Sequence, residues 1–184
     1  MRRAALLRSA LLIFFACGML VALALVNLRF TRSSPGGNDF LPRWLGTRLF
    51  ITRHQDPYSA ETTAAIQEAM YGRAAKEGED QAPFAYPLYA TIFLSPFSLI
   101  GDYAVARALW ITTLEIAVIA TALAAIALAG WKPGRWPLAA FLLFSLTWFH
   151  GTKPLVDGNA SILVALLLTM GLLALKRGQD GAAG

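Results

Sequence analysis

The sequence predicts an all-α integral membrane protein: about four transmembrane helices, a juxtamembrane or re-entrant apolar segment, and amphipathic helices in a long first outer loop. Three observations predict it. Of 184 residues, 57% are apolar and 15% charged, where soluble domains carry about a quarter charged residues. The apolar residues gather into runs that approach the ~20 residues a bilayer core asks of a helix. The basic residues behind the formal charge of +5 stand at the ends of those runs, as orienting charges do. They form neither a stripe nor an aromatic-interleaved patch, so no nucleic acid is expected as a partner.

The first run, 10–27, follows Arg2, Arg3 and Arg8. A signal peptide begins the same way, and Ala22-Leu23-Ala24 offers a cleavage site. The run is long for a signal sequence and further spans follow, so it is read as a retained span. Cys17, the single cysteine, lies within it and is expected to be a small buried hydrophobe. The second run, 104–130, carries one charge in its middle, Glu115, which should face protein because a mid-bilayer carboxylate costs about 2–3 kcal/mol. Helix packing is its expected role; a transport role built on Glu115 is the competing one. The third run, 136–151, opens on Trp136-Pro137, proline being tolerated in a first helical turn. The fourth, 160–175, ends at Lys176-Arg177, and residues 178–184 read as a flexible tail.

Orientation follows from charge. If the apolar stretch 86–100, which contains Pro87 and Pro96, does not cross, then Arg2, Arg3, Arg8, Lys132, Arg135, Lys176 and Arg177 all fall on one side. The positive-inside rule makes that side the cytoplasm. Both termini are then cytoplasmic in a multi-pass protein of the cell membrane, residues 28–103 are extracytoplasmic, and 86–100 is a segment buried against protein on the outer side.

The outer loop is long enough to be functional rather than a connector. Ser33-Ser34-Pro35-Gly36-Gly37 is a turn cluster. Leu41, Trp44, Leu45 and Leu49 then recur at helical spacing over Phe40–Ile51, an amphipathic helix suited either to the headgroup layer or to packing on the rest of the protein. After the Asp56-Pro57-Tyr58-Ser59 turn, a second helix is predicted with Ser59 as N-cap, running to about Lys76. Asp39, just before the first of these helices, has two open readings: a general base, or a simple helix cap. Glu77–Gln81 reads as a solvated polar loop, and His150 as an interface residue at the outer end of the third span. No Cys/His cluster exists, and a lone aspartate gives no reason to expect a divalent metal.

The ordered series Asp39, Phe40, Trp44, Gly46, Leu49, Asp56-Pro57-Tyr58, Phe84-Ala85-Tyr86-Pro87-Leu88, Ser95-Pro96-Phe97 and Gly158-Asn159-Ala160-Ser161 resembles the N-terminal part of the family 87 glycosyltransferases. These are similar in architecture to the wider GT-C class and include a polyprenyl-phosphomannose-dependent mannosyltransferase. The chain departs from the family's usual pattern at Leu88, where a second proline is common, and at Asn159, where glutamine is. Family members are also longer, with more spans.

The resemblance implies a GT-C-like N-terminal module that transfers a hexosyl or mannosyl unit from a polyprenyl-phosphate sugar to an acceptor hydroxyl at the outer membrane face, in a truncated or split form. It implies Asp39 as catalytic base, and its aromatic-proline and Gly-Gln elements match Tyr86-Pro87 and Gly158-Asn159, so Tyr86, Pro87 and Asn159 are expected to bind substrate. Arg43, Tyr58 and Lys153, on the outer side, are expected to join them, with an ordinary interfacial anchor the competing reading of Lys153. Arg43 and Lys153 are the expected cationic partners of the leaving phosphate; Arg48 and Arg53 are expected to face solvent or headgroups. No cofactor is implied. The expected partners are membrane lipid, the lipid-linked sugar and a second chain supplying further helices. The alternative is a non-catalytic partner subunit or relic of the same fold.

Overall fold

The computed structural model describes residues 2–34, 36–179 and 181, with side chains from residue 7 onward. Pro35 and most of the tail, and the side chains of Arg2 and Arg3, lie outside the described residues. Among the described residues every regular element but a single 3-10 residue is an α-helix: α1 (Arg2–Ser33), α2 (Phe40–Arg53), α3 (Ala60–Tyr71), α4 (Ala90–Ser98), α5 (Tyr103–Ala129), α6 (Arg135–Thr147), α7 (Phe149–Asp157) and α8 (Ser161–Lys176).

Two helices are long and apolar enough to cross a bilayer, Leu7–Ser33 within α1 and Tyr103–Ala129. The α7–α8 pair passes the same test only as one broken unit, bent by 119°. Helix α6 is apolar but has 13 residues, about 20 Å of helix against a hydrocarbon core of about 30 Å. The chain is thus an all-α membrane protein in which α5 is the central post, packed against α1 on one side and α8 on the other.

Local chemistry sets the ends. Asp102 caps α5 by accepting from the Ala104 and Val105 N–H groups, and Gly130 closes it in the left-handed region. Ser59 caps α3 by accepting from the Thr62 N–H, as expected. That helix stops at Tyr71 rather than near Lys76, because Gly72 takes φ +67° and ends it. The expected helix over 40–51 extends to Arg53 and is a packed helix, not a headgroup-layer one. Phe40, Leu41, Arg43, Trp44, Thr47 and Leu49 are all buried, against α3 and α4.

The core lies along the N-terminal half of α5. Phe40 stacks on Trp110 with ring centres 5.2 Å apart, and Leu41, Trp44, Leu94, Ala106, Leu114 and Leu155 complete the cluster. Residues 86–100 form a short turn and α4, with Pro96 inside the helix. One side of α4 buries Thr91 and Leu94, while Ile92 and Phe93 remain exposed. Deeper in the span, Asn27 on α1 donates through Nδ2 to Glu115 at 2.7 Å and to Thr112 at 2.9 Å. That accounts for the mid-span carboxylate as a helix-packing clamp.

The expectation for Cys17 is corrected: its side chain is exposed. α1 touches α5 along its C-terminal part, and its apolar window buries nothing inside the protein, so Cys17 faces the lipid side.

Candidate active site

Two connections meet over the first turns of α5. One joins α1 to α2 and ends at Asp39; the other is the turn between α7 and α8 at Gly158-Asn159-Ala160. Three α5 side chains at i, i+4 and i+7, which share a helix face, hold both. The Tyr103 hydroxyl bonds the Gly36 and Gly37 carbonyls at 3.2 and 3.1 Å. Arg107 donates to the Ser34 carbonyl at 2.8 Å and the Val156 carbonyl at 3.1 Å. Trp110 Nε1 donates to the Gly158 carbonyl at 2.9 Å.

Arg107 is 1% exposed and among the described residues makes no carboxylate ion pair. Its charge instead meets carbonyls at the C-terminal ends of α1 and α7, where helix dipoles favour a cation. Two glycines make the close approach possible. A Cβ on Gly37 (φ +80°) would stand 2.6 Å from Arg107 Nε, and one on Gly158 (φ +74°) 2.6 Å from Phe40 Cβ.

The result is a contact across 120 residues of sequence: Asn159 Nδ2 donates to Asp39 Oδ2 at 2.7 Å. The amide is oriented, because its own Oδ1 accepts from the Ser161 N–H at 2.8 Å, which leaves the donor end toward the carboxylate. The Asp39 N–H donates to the Asp157 carbonyl at 3.1 Å, tying the same two connections again. Asp39 stands at the head of α2 yet makes no side-chain cap bond. Of the two readings of this residue, the simple cap is thereby removed.

One turn along α2, Arg43 is 8% exposed. Its Nη1 donates to the Asp39 carbonyl and, at 3.5 Å, to the Gly158 carbonyl. Its Nη2 donates to the Tyr86 hydroxyl, and the guanidinium lies 4.2 Å from the Tyr86 ring centre. A guanidinium has five N–H donors. Three are used here, and the buried Nε has no partner among the described residues.

Arg43 and Tyr86 form the wall between two cavities. One, of about 160 Å³, is mixed in character, with Asn38, Asp39, Arg43, Asp80 and Tyr86 among prolines and alanines. The other, of about 330 Å³, is almost wholly apolar and lies between α4, α5 and α8, with Pro87, Phe93, Trp110, Leu163 and Leu167 on its surface. A charged, hydrogen-bonding chamber therefore abuts an oily groove, with an arginine at the junction.

Of the residues predicted from sequence, Asp39, Arg43, Tyr86 and Asn159 come together, and Pro87 lines the apolar groove. Tyr58 stands behind them: its hydroxyl bonds the Tyr86 carbonyl at 2.5 Å and its ring packs edge-on against Phe84, so it supports Tyr86 rather than facing either cavity. Lys153 is in helix α7, not a loose connection, and pairs with Asp157 at 2.6 Å. Arg48 donates to the Ser98 carbonyl at 2.9 Å, and His150 packs edge-on to Trp148. The sequence reading missed Tyr103, Arg107 and Trp110. The available signal was one arginine in the opening turns of a largely apolar helix, with aromatics four residues before and three after.

A family model described as Glycosyltransferase family 87 matches residues 84–184, more than half of the chain. The matched stretch includes Tyr86, Pro87, Lys153 and Asn159, and begins after Asp39 and Arg43. No curated protein and no solved structure matches.

Proposed function

The chain belongs to glycosyltransferase family 87, a family of membrane glycosyltransferases, and on that premise we propose that it transfers a hexosyl unit from a polyprenyl-phosphate sugar to an acceptor hydroxyl, with Asp39 as the base. The observation that carries the proposal is the position of Asp39: its carboxylate is held by Asn159 beside a cavity lined also by Arg43, which borders an apolar groove as well. A lipid-linked sugar has the same three parts in the same order. Its chain suits the groove, its phosphate the unpartnered donors of Arg43, and its sugar the cavity that Asp39 lines.

In the reaction, the acceptor oxygen bonds to the anomeric carbon as the bond from that carbon to the phosphate oxygen breaks. The acceptor's proton passes to the Asp39 carboxylate, a transfer that typically contributes about 10²–10⁴-fold. The bonding pair leaves with the polyprenyl phosphate, and the guanidinium of Arg43 meets that charge. Asn159 steadies the carboxylate, and Tyr86 fixes the guanidinium by stacking and hydrogen bonding. Lys153, paired with Asp157, spends one of its three N–H donors on that pair.

The reading puts this site on the outer face of the cell membrane with both termini in the cytoplasm, as the charge distribution supports. A membrane-impermeant thiol reagent on Asn38→Cys, in a Cys17→Ser background, should label intact cells. A second chain contributing further helices belongs to the same reading; α6, which buries none of its residues, is the surface it would cover.

The decisive measurement is sugar transfer from a short-chain polyprenyl-phosphate hexose by the native chain and by Asp39→Asn. The variant should lose about 10²-fold or more; equal turnover removes Asp39 as the base. A membrane partner without catalysis of its own predicts no turnover in either form, even with every neighbouring chain present.

A further inference from the structure

Another part of the wall of the cavity that Asp39 lines is a second built feature, and neither the family match nor the proposed chemistry assigns it a role. It is the segment Asp80–Ala85. Asp80 and Asp39 line the same cavity of about 160 Å³, too small for drug-sized ligands, whose sites run to ~300–1,000 Å³, but of a size for a single ring.

The segment is held in place. Gln67 on α3, itself 8% exposed, donates to the Gln81 carbonyl at 2.9 Å and accepts from the Ala75 N–H at 3.0 Å. The Tyr71 hydroxyl donates to the Asp80 carbonyl at 2.9 Å. Ala82, 3% exposed, takes φ +48°, a left-handed conformation that costs a non-glycine residue about 1–2 kcal/mol and persists where surroundings over-determine it. Asp80 Oδ1 accepts from the Ala82 N–H at 2.9 Å. One carboxylate oxygen is thus spent on stabilising the turn, and Asp80, an exposed residue, lines the cavity.

We propose that Asp80 is a sugar-reading residue: its second carboxylate oxygen accepts from hydroxyls of the transferred ring and, with Asp39, selects a neutral sugar against one bearing a carboxylate. The inference rests on the proposed reaction, in which the lipid-linked sugar's ring occupies this cavity. Three polar side chains with different capacities face the ring. Asp39 and Asp80 accept only; Arg43, more than nine-tenths buried and with an unpartnered Nε, donates only. A ring with neighbouring hydroxyls can satisfy both kinds at once. A uronic acid would set a third carboxylate beside Asp39 and Asp80, with the single guanidinium of Arg43 among them, and like charges at such range repel.

The test uses the whole chain in lipid nanodiscs and reads binding without turnover. Water-soluble citronellyl-phosphate glycosides are titrated by saturation-transfer NMR, one carrying a neutral hexose and one the corresponding hexuronate. Native protein should bind the neutral ring at least about tenfold more tightly. Asp80→Asn keeps an oxygen for the Ala82 N–H and removes the charge; it should bring the two ligands within about twofold. Asp80→Ala should weaken neutral-ring binding by about five- to tenfold, as a lost hydrogen bond does. A preference unchanged by Asp80→Asn, equal native affinity for both ligands, or no binding of either overturns the assignment. Turnover of Asp39→Asn is measured separately. Full loss there with an indifferent Asp80 refutes this inference alone, whereas an active Asp39→Asn refutes the proposed reaction itself.

Discussion

Gly37→Ala isolates the force that holds the candidate base in place. Gly37 has φ +80°, and an added Cβ would stand 2.6 Å from Arg107 Nε, 2.6 Å from the Tyr103 hydroxyl and 2.8 Å from Arg107 Cδ. The backbone alone costs alanine about 1–2 kcal/mol in this region. Crowding a packed site adds about 1–3 kcal/mol. Arg107 cannot swing aside freely, because its two ends are bonded to the Ser34 and Val156 carbonyls. Either the arginine gives up one of those bonds or the 36–39 segment moves, and Asp39 moves with it.

Gly78 provides the control: its φ is +83°, and nothing lies within 4 Å of the Cβ it lacks. Gly78→Ala therefore carries the conformational cost of about 1–2 kcal/mol without the crowding. Denaturant titration in detergent, followed by tryptophan fluorescence from the buried Trp44 and Trp110, should find Gly37→Ala lower than Gly78→Ala by about 1–3 kcal/mol. Sugar transfer should fall in Gly37→Ala and persist in Gly78→Ala. If the two variants are equally stable and equally active, the Tyr103–Arg107 clasp does not position Asp39.

Removing the Asn159 amide in Asn159→Ala should lower turnover by about tenfold or more, as expected for a charge-assisted bond worth about 1.5–3 kcal/mol, while Asn159→Gln, which keeps a donor, should retain more activity; comparing kcat in the two variants decides this. In the span, Asn27→Leu strands Glu115 without its amide donor and should destabilise by about 1–3 kcal/mol, and the Asn27→Leu/Glu115→Leu double variant should recover much of it because both polar groups are gone; a double-mutant cycle of unfolding midpoints reads the coupling. In the loop after α3, the Arg73 guanidinium bonded to Glu79 at 2.7 Å, with the Lys76 N–H, holds the Glu79 carboxyl down from 4.5 to about 2. A depressed acid stabilises the fold above its unfolded value, so this contribution is complete above pH of about 4.5 and disappears as pH falls toward about 2; carboxyl carbon NMR should show it, and Arg73→Ala should return Glu79 toward its ordinary range.

Much of the architecture is written in the composition of short stretches. A membrane helix announces itself because burial in lipid is an average over some twenty consecutive residues, which is why 104–130 and α5 (Tyr103–Ala129) nearly coincide. Ser59 was readable as a cap because capping is settled within three residues. Gly72 was not read as a stop, since whether a glycine ends a helix depends on the turn that follows. The polar–aromatic order from Asp39 to Asn159 was enough to suggest the family that the match over 84–184 shows.

What required the tertiary structure is every relation between distant segments. Nothing near Asp39 indicates that Asn159 will hold its carboxylate, or that Arg107 on a third segment will pin both connections through carbonyls that any sequence would possess. Lys153 and Asp157 stand four residues apart in the sequence, but it is the helical fold of α7 that sets them one turn apart as a pair at 2.6 Å. Hydrophobic averages decide which segments enter the membrane. Which side chains then meet is decided by how α1, α2 and α7 pack around α5, and that packing depends on contacts between residues far apart in the chain.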